Sequence, residues 1–204
     1  MRGARKYSDR VLVVDDGSAD RTAQAAAAAG AEVIRQPENR GKGAALRTGL
    51  KALVDRGSDP VIVLDGDGQH DPGEIPAFLA EALRSGAGIV VGNRMAAAES
   101  MPFVRYWTNR TMSAILSRLA GEKIPDTQCG YRLLSAETVG KLSFATSNYD
   151  TESEMLIEAG RKGVRISSVP VKTIYRGEVS RIRPGRDTVR FLRLLLRTFF
   201  PGQK

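Results

Sequence analysis

The stretch at residues 61–72, V-I-V-L-D-G-D-G-Q-H-D-P, constrains this chain more than any other. Four apolar residues in a row suit a strand buried on both faces, as in a parallel sheet. The run ends in Asp65, Asp67 and Asp71, with Gly66 and Gly68 between them and Pro72 closing the turn. Open α/β sheets bind ligands at the carboxyl ends of their strands. In an extended segment, Asp65 and Asp67 point the same way. Two convergent carboxylates with little bulk around them make a site for a hard divalent cation, Mg²⁺ or Mn²⁺, that also holds phosphate oxygens. Asp and Gly also form plain turns. A second acidic strand end argues for more than a turn: the apolar run at residues 11–14 stops at Asp15-Asp16-Gly17-Ser18.

Along the chain the same rhythm repeats. After Ser18, Asp20 and Thr22 precede an alanine-rich helix to Ala29, stopped by Gly30, and the alanines predict close packing on a sheet. Residues 31–35 read as a strand. Asn39-Arg40-Gly41-Lys42-Gly43 then opens a helix over 44–55. Glycines at a helix N-terminus let backbone N–H groups approach an anion, and Lys42 adds charge. The spacing is not that of a Walker loop. A strand over 59–64, a helix over 74–85 and a strand over 88–91 follow, the last running into Gly92-Asn93-Arg94. Strand, helix, strand in repetition predicts a doubly wound, mostly parallel sheet. Helices are expected over 102–120, 152–161 and 188–200, and strand-like runs over 164–171. The last helix carries an apolar stripe with arginines mostly off it.

Composition narrows the chemistry. One cysteine, Cys129, excludes an internal disulfide and reads as a core thiol in a reducing compartment. One histidine, His70, argues against zinc and against a Ser-His-Asp triad. No apolar run has the length of a membrane span, and no signal peptide is visible. The net charge of +8 asks for an anionic partner. Aromatics are few and not interleaved with the basic clusters, which argues against nucleic acid. Tyr106 and Trp107 read as core or rim aromatics.

D-D-G-S at Asp15, N-R-G-K-G at Asn39, D-G-D-G-Q-H at Asp65, G-N-R at Gly92 and D-T-Q-C-G-Y-R at Asp126 occur in one order. Together they resemble family-two glycosyltransferases of the polyprenyl-phosphate type, the dolichyl-phosphate mannose synthases and their bacterial relatives. The resemblance implies a GT-A fold over residues 1–185. The amphipathic helix in residues 186–204, where relatives often carry transmembrane helices, has two readings that stay open: it lies in the membrane interface, or it packs on its own domain. The resemblance also implies inverting, metal-dependent transfer of mannose or glucose from a GDP-mannose or UDP-glucose type donor to a polyprenyl phosphate. That activity belongs at the cytoplasmic face of a membrane, with the chain bound peripherally.

By the same resemblance, Asp15, Asp16 and Lys42 meet the nucleotide. Asp65, Asp67 and Gln69 meet the metal. Arg94 and Arg132 grip phosphate, and Arg181 falls near the acceptor. Ser135 and Glu154 also belong to the site. A phosphate acceptor is already an anion and needs no general base. A hydroxyl acceptor would need one near Glu152 or Glu154, and that reading stays open. So does a non-catalytic remnant, because relatives carry a central strand with a P-x-Y-N-E loop ahead of the D-D-G-S strand. Here only residues 1–10 precede the first strand.

Overall fold

The computed structural model describes residues 1–96, 101, 103–143, 150–172 and 174. In chain order these form β1 (Leu12–Asp15), α1 (Thr22–Ala28), β2 (Glu32–Arg35), α2 (Lys42–Val54), β3 (Val61–Val63) and α3 (Ile75–Ser85). Then come β4 (Ile89–Asn93), α4 (Phe103–Ala120), β5 (Arg132–Leu134), α5 (Ala136–Lys141), α6 (Asp150–Arg161) and β6 (Ile166–Pro170). The helix expected over 188–200 and Arg181 lie outside the described residues.

Of the apolar runs, residues 89–91 become a fully buried strand, whereas those at 11–14 and 61–64 are mostly half-buried, which corrects their reading as strands covered on both faces. Ile89, Val90 and Val91 of β4 and Leu133 and Leu134 of β5 are at most 1% exposed. Burial on both faces follows because α3 on one side and α6 on the other lean on this sheet, bringing Phe78, Met155 and Leu156 into one core. The sheet order is β3-β5-β4-β6, with β4 and β6 parallel and β5 antiparallel to both of its neighbours. β3, β4 and β6 therefore run one way, and β5 alone is reversed. This antiparallel strand, with α5 after it, escapes the sequence reading. Three residues, Arg-Leu-Leu, are too short to show a period.

β1 and β2 form a separate parallel pair. Its direction follows from α2, where the ends of β1 and β3 converge. Asp16 accepts from the Gly41 N–H, and Lys42 pairs with Asp65. Between β1 and β3 is a cleft of about 200 Å³, lined by Leu12, Val14, Val61, Ile62, Val63 and Leu64, with Leu46 and Leu50 of α2 also on its wall. The carbonyls of Val11 and Asp15 accept from Glu32 and Gln36 on the β2 side. By strand alternation, the Leu12 and Val14 carbonyls face the cleft.

The alanine-rich helix is a partial correction. Of α1 only Ala26 is buried, so most of its alanines meet solvent rather than the sheet. Close packing occurs instead between α4 and α6. A Cβ on Gly160 would fall 1.9 Å from the Ala120 carbonyl oxygen, so only glycine fits.

Candidate active site

The site gathers where β3, β4 and α2 present their functional ends. Asp65 follows β3, and its backbone N–H donates to His70 Nδ1 at 3.1 Å. His70 stacks on Tyr131, and Tyr131 on Phe78. Tyr131 also donates its hydroxyl to the Asp71 carbonyl at 3.0 Å. The acidic loop is thus fixed from below by an aromatic stack. Asp67, on top of the loop, is exposed, and its Oδ1 accepts from the Gln69 N–H at 2.9 Å.

Lys42 is the hub. Its Nζ lies 2.7 Å from Asp65 Oδ1 and 3.1 Å from Glu152 Oε1. Burial opposes its charge but is outweighed by Glu152 and Asp65, so its pKa is raised. For Asp65 burial is likewise outweighed, by Lys42 and then by the more distant His70 and Arg132, and its pKa is lowered. Gly130 sits against this pair. A Cβ there would lie 2.7 Å from Asp65 Oδ2 and 3.0 Å from Lys42 Nζ. The glycine of D-T-Q-C-G-Y-R therefore keeps clear the space that the ion pair occupies.

The two arginines are placed differently from a phosphate grip. Arg94 Nε and Nη2 donate to the two oxygens of Asp126 at 2.7 and 2.9 Å, a buried bidentate pair. Arg132 is 2% exposed. It donates at 2.9 Å to the carbonyls of Cys129, Thr127 and Glu152, so its guanidinium ties the 127–129 loop to α6. Its charge is felt at Asp65 rather than displayed at a surface. Cys129 is fully buried, and burial pushes its thiol up to about 11.

Of the other expected site residues, the two acids after β1 are held by backbone N–H groups and Ser135 lies elsewhere. Asp16 accepts from the N–H groups of Arg40 and Gly41, both at 2.8 Å, so its carboxylate holds the N-R-G-K-G loop. Asp15 is buried. Oδ1 accepts from the Ser18 N–H at 2.9 Å, Oδ2 lies 3.5 Å from Arg35 Nε, and hydrogen bonding to Ser18 is the main cause that lowers the Asp15 pKa. Ser135 is not brought to the site. Because β5 is reversed, Ser135 lies at the opposite sheet end, capping α5 and donating its N–H to the Gly88 carbonyl. Glu154 is two residues beyond Glu152, about 200° around α6, and it is Glu152 that turns to Lys42. The roles that motif reading missed are those of Glu152 as the partner of Lys42, of Asp126 as the partner of Arg94 and of Gly130 beside the Lys42–Asp65 pair. The available signal was charge balance, since a buried lysine or arginine requires a carboxylate nearby. A larger cavity, about 410 Å³, lies by Arg5, Val11 and Arg56 at the other end of β1, away from these groups.

Residues 2–142 match the family described as glycosyl transferase family 2. The chain belongs to this family. It is 31% identical over 189 residues to a UDP-N-acetylglucosamine–dolichyl-phosphate N-acetylglucosaminyltransferase of Methanococcus voltae, covering 82% of this chain and 75% of the relative. It is 32% identical to an undecaprenyl-phosphate mannosyltransferase of Micrococcus luteus, covering 86% and 76%. A solved structure of glucosyl-3-phosphoglycerate synthase from Mycobacterium tuberculosis, in complex with Mn²⁺, UDP and phosphoglyceric acid, superposes with a TM-score of 0.68 at 25% identity. That match covers 95% of this chain and 67% of the other. The family-2 chain has the GT-A-like fold of these relatives and is a nucleotide-sugar-dependent glycosyltransferase.

Proposed function

We propose that this glycosyltransferase moves a hexose, mannose or glucose, from a nucleoside diphosphate sugar to a polyprenyl phosphate, with inversion, at the cytoplasmic membrane surface. The observation that carries the choice of acceptor is the Lys42 hub. Glu152, the acid best placed to serve as a general base, is ion-paired to Lys42 together with Asp65. Asp126 is likewise occupied by Arg94. Such a site suits an acceptor that brings its own anionic oxygen, since no proton has to be taken from it. The relatives named for dolichyl and undecaprenyl phosphate support the same acceptor class. Transfer to a hydroxyl is the second reading, favoured by the likeness to the phosphoglycerate enzyme.

Among the described residues no three His, Cys, Asp or Glu side chains form a metal-holding group. The donors present are nonetheless hard oxygens at a strand end, the exposed Asp67 first, with Asp65 and Gln69 beside it. That set fits Mg²⁺ or Mn²⁺, which keep waters and phosphate oxygens in their shells. When bound, such an ion would neutralise the leaving diphosphate. Lys42 holds Asp65 ionised and aimed, the N-R-G-K-G loop held by Asp16 faces the donor, and the buried Arg132 adds a positive field.

The test is transfer of radiolabelled sugar into a butanol-extractable lipid from which mild acid releases it. Asp67→Asn is expected to abolish the gain in nucleoside diphosphate affinity that Mn²⁺ or Mg²⁺ gives in calorimetry. Glu152→Gln is expected to retain substantial transfer. A loss of about a hundredfold, the usual cost of removing a base, would instead support a hydroxyl acceptor. Label in a soluble glycan and none in lipid would sink the polyprenyl phosphate reading.

A further inference from the structure

Away from the site, the first turns of α4 carry a surface poorly suited to water. Phe103 and Val104 are each 76% exposed and Trp107 48%. Phe103 and Tyr106 both meet Trp107 edge-on, with ring centroids 6.1 and 5.7 Å away. Arg110 lies over the Trp107 ring and donates to the Tyr106 hydroxyl at 3.1 Å. Of the two sequence readings of Trp107, core or rim, the exposure fits the rim. The buried face of α4 is Asn109, Ser113, Leu116 and Ala120. At about 100° per residue, Val104 and Trp107 project from the opposite side.

We propose that this end of α4 docks on an anionic lipid bilayer. Its chemistry is that of the bilayer interface, where amphipathic rings sit at headgroup level and arginines meet lipid phosphates. Charge complementarity points to the same partner. α4 exposes Arg110 and Arg118 and contains no acid, in a chain of net charge +8, while Arg105, one turn before the buried Asn109, lies toward the inner side. Each basic residue near an anionic surface adds attraction that fades within a Debye length. No described helix is long and apolar enough to cross a membrane, so α4 would lie on the surface rather than span it. Of the proposed function the inference uses only the membrane location.

Trp107 is the only tryptophan in the chain, so its emission reports on this surface alone. The full chain is mixed with phosphatidylcholine vesicles, with and without phosphatidylglycerol. The expected result is a blue shift, quenching by brominated acyl chains, and sedimentation with the anionic vesicles. Phe103→Ser with Val104→Ser should weaken partitioning by about tenfold or more, because both side chains are exposed and would be buried in lipid. Arg110→Gln with Arg118→Gln should remove the preference for phosphatidylglycerol. Absence of quenching with either vesicle overturns the proposal. So does undiminished binding of the serine pair, which would locate the contact elsewhere. So does a concentration-dependent shift without vesicles that the serine pair abolishes, which would make this a face between two copies. Sugar transfer to a detergent-dispersed acceptor separates the two ideas. The serine pair should transfer as well as the unaltered chain, and an unaltered chain quenched by lipid yet inert in detergent would fail the acceptor reading only.

Discussion

At the scale of single residues, Arg132 and Gly130 show how the same motif serves two ends. Arg132 spends its donors on three carbonyls from two segments, in a position that is 2% exposed. Arg132→Ala would leave those carbonyls buried without partners, at a cost of roughly 3–5 kcal/mol. Urea denaturation should show that loss. Weakened acceptor binding at unchanged stability would instead restore the phosphate-grip role. Gly130→Ala should do the reverse. Its methyl group meets the mobile ends of Lys42 and Asp65, which can yield without opening the core. Displacing a catalytic constellation by about 1 Å can cost on the order of a hundredfold in rate. The expected outcome is a tenfold to hundredfold loss of turnover, roughly, with little change in melting temperature. A normal rate would mean that Lys42 and Asp65 need not hold their present geometry.

At the scale of elements, the cleft between β1 and β3 is the feature with the clearest consequence. Two strand edges face each other across about 200 Å³ of apolar lining, and both strands run toward α2. Unpaired strand edges are templates for another strand. An apolar strand fused ahead of residue 1 and long enough to reach the cleft should pair there in the same direction. It would join β1–β2 to the four-stranded sheet. For a chain of this size each kcal/mol gained raises Tm by roughly 2–4 °C. The expected result is a Tm several degrees higher and increased turnover, read by circular dichroism melting and the transfer assay. A Tm unmoved by the added strand would show that the cleft is not a strand site.

At the scale of the whole molecule, the buried titratable groups set a pH window for stability. His70 is lowered from its ordinary 6.5, chiefly by burial. Its contribution is complete above 6.5 and is lost as pH falls through its folded value. Asp65 is lowered from 3.8 and follows the same sign further into acid. Cys129 is raised from 9.0 to about 11, so its contribution is complete below 9.0 and lost as pH rises through about 11. Lys42, raised from 10.5, adds to the alkaline loss. Urea midpoints of the metal-free chain should therefore be flat between about 6.5 and 9 and fall on both sides. A midpoint still rising steadily from neutral pH to pH 10 would contradict these burials.

Much of this was legible in the chain because its causes are local. Four apolar residues followed by D-G-D-G announce a strand with acids just past its end, but not how those acids point: the strand stops at Val63, Asp65 turns to Lys42 and Asp67 stays exposed on the loop. Spacing and glycines placed α2, α3, β3 and β4 for the same reason, and five motifs in order pointed to the family that the relatives bear out. What the tertiary structure alone decided is partnership. Whether Arg132 meets a ligand or three carbonyls depends on where α6 comes to rest. Whether Ser135 lies at the site depends on the direction of β5, which three residues do not encode. Glu152 rather than Glu154 reaches Lys42 because the rotation of α6 is set by its packing against α4 through Gly160. Charges in a low-dielectric interior are governed by neighbours remote in sequence, and only the assembled fold brings residues 42, 65, 130 and 152 together.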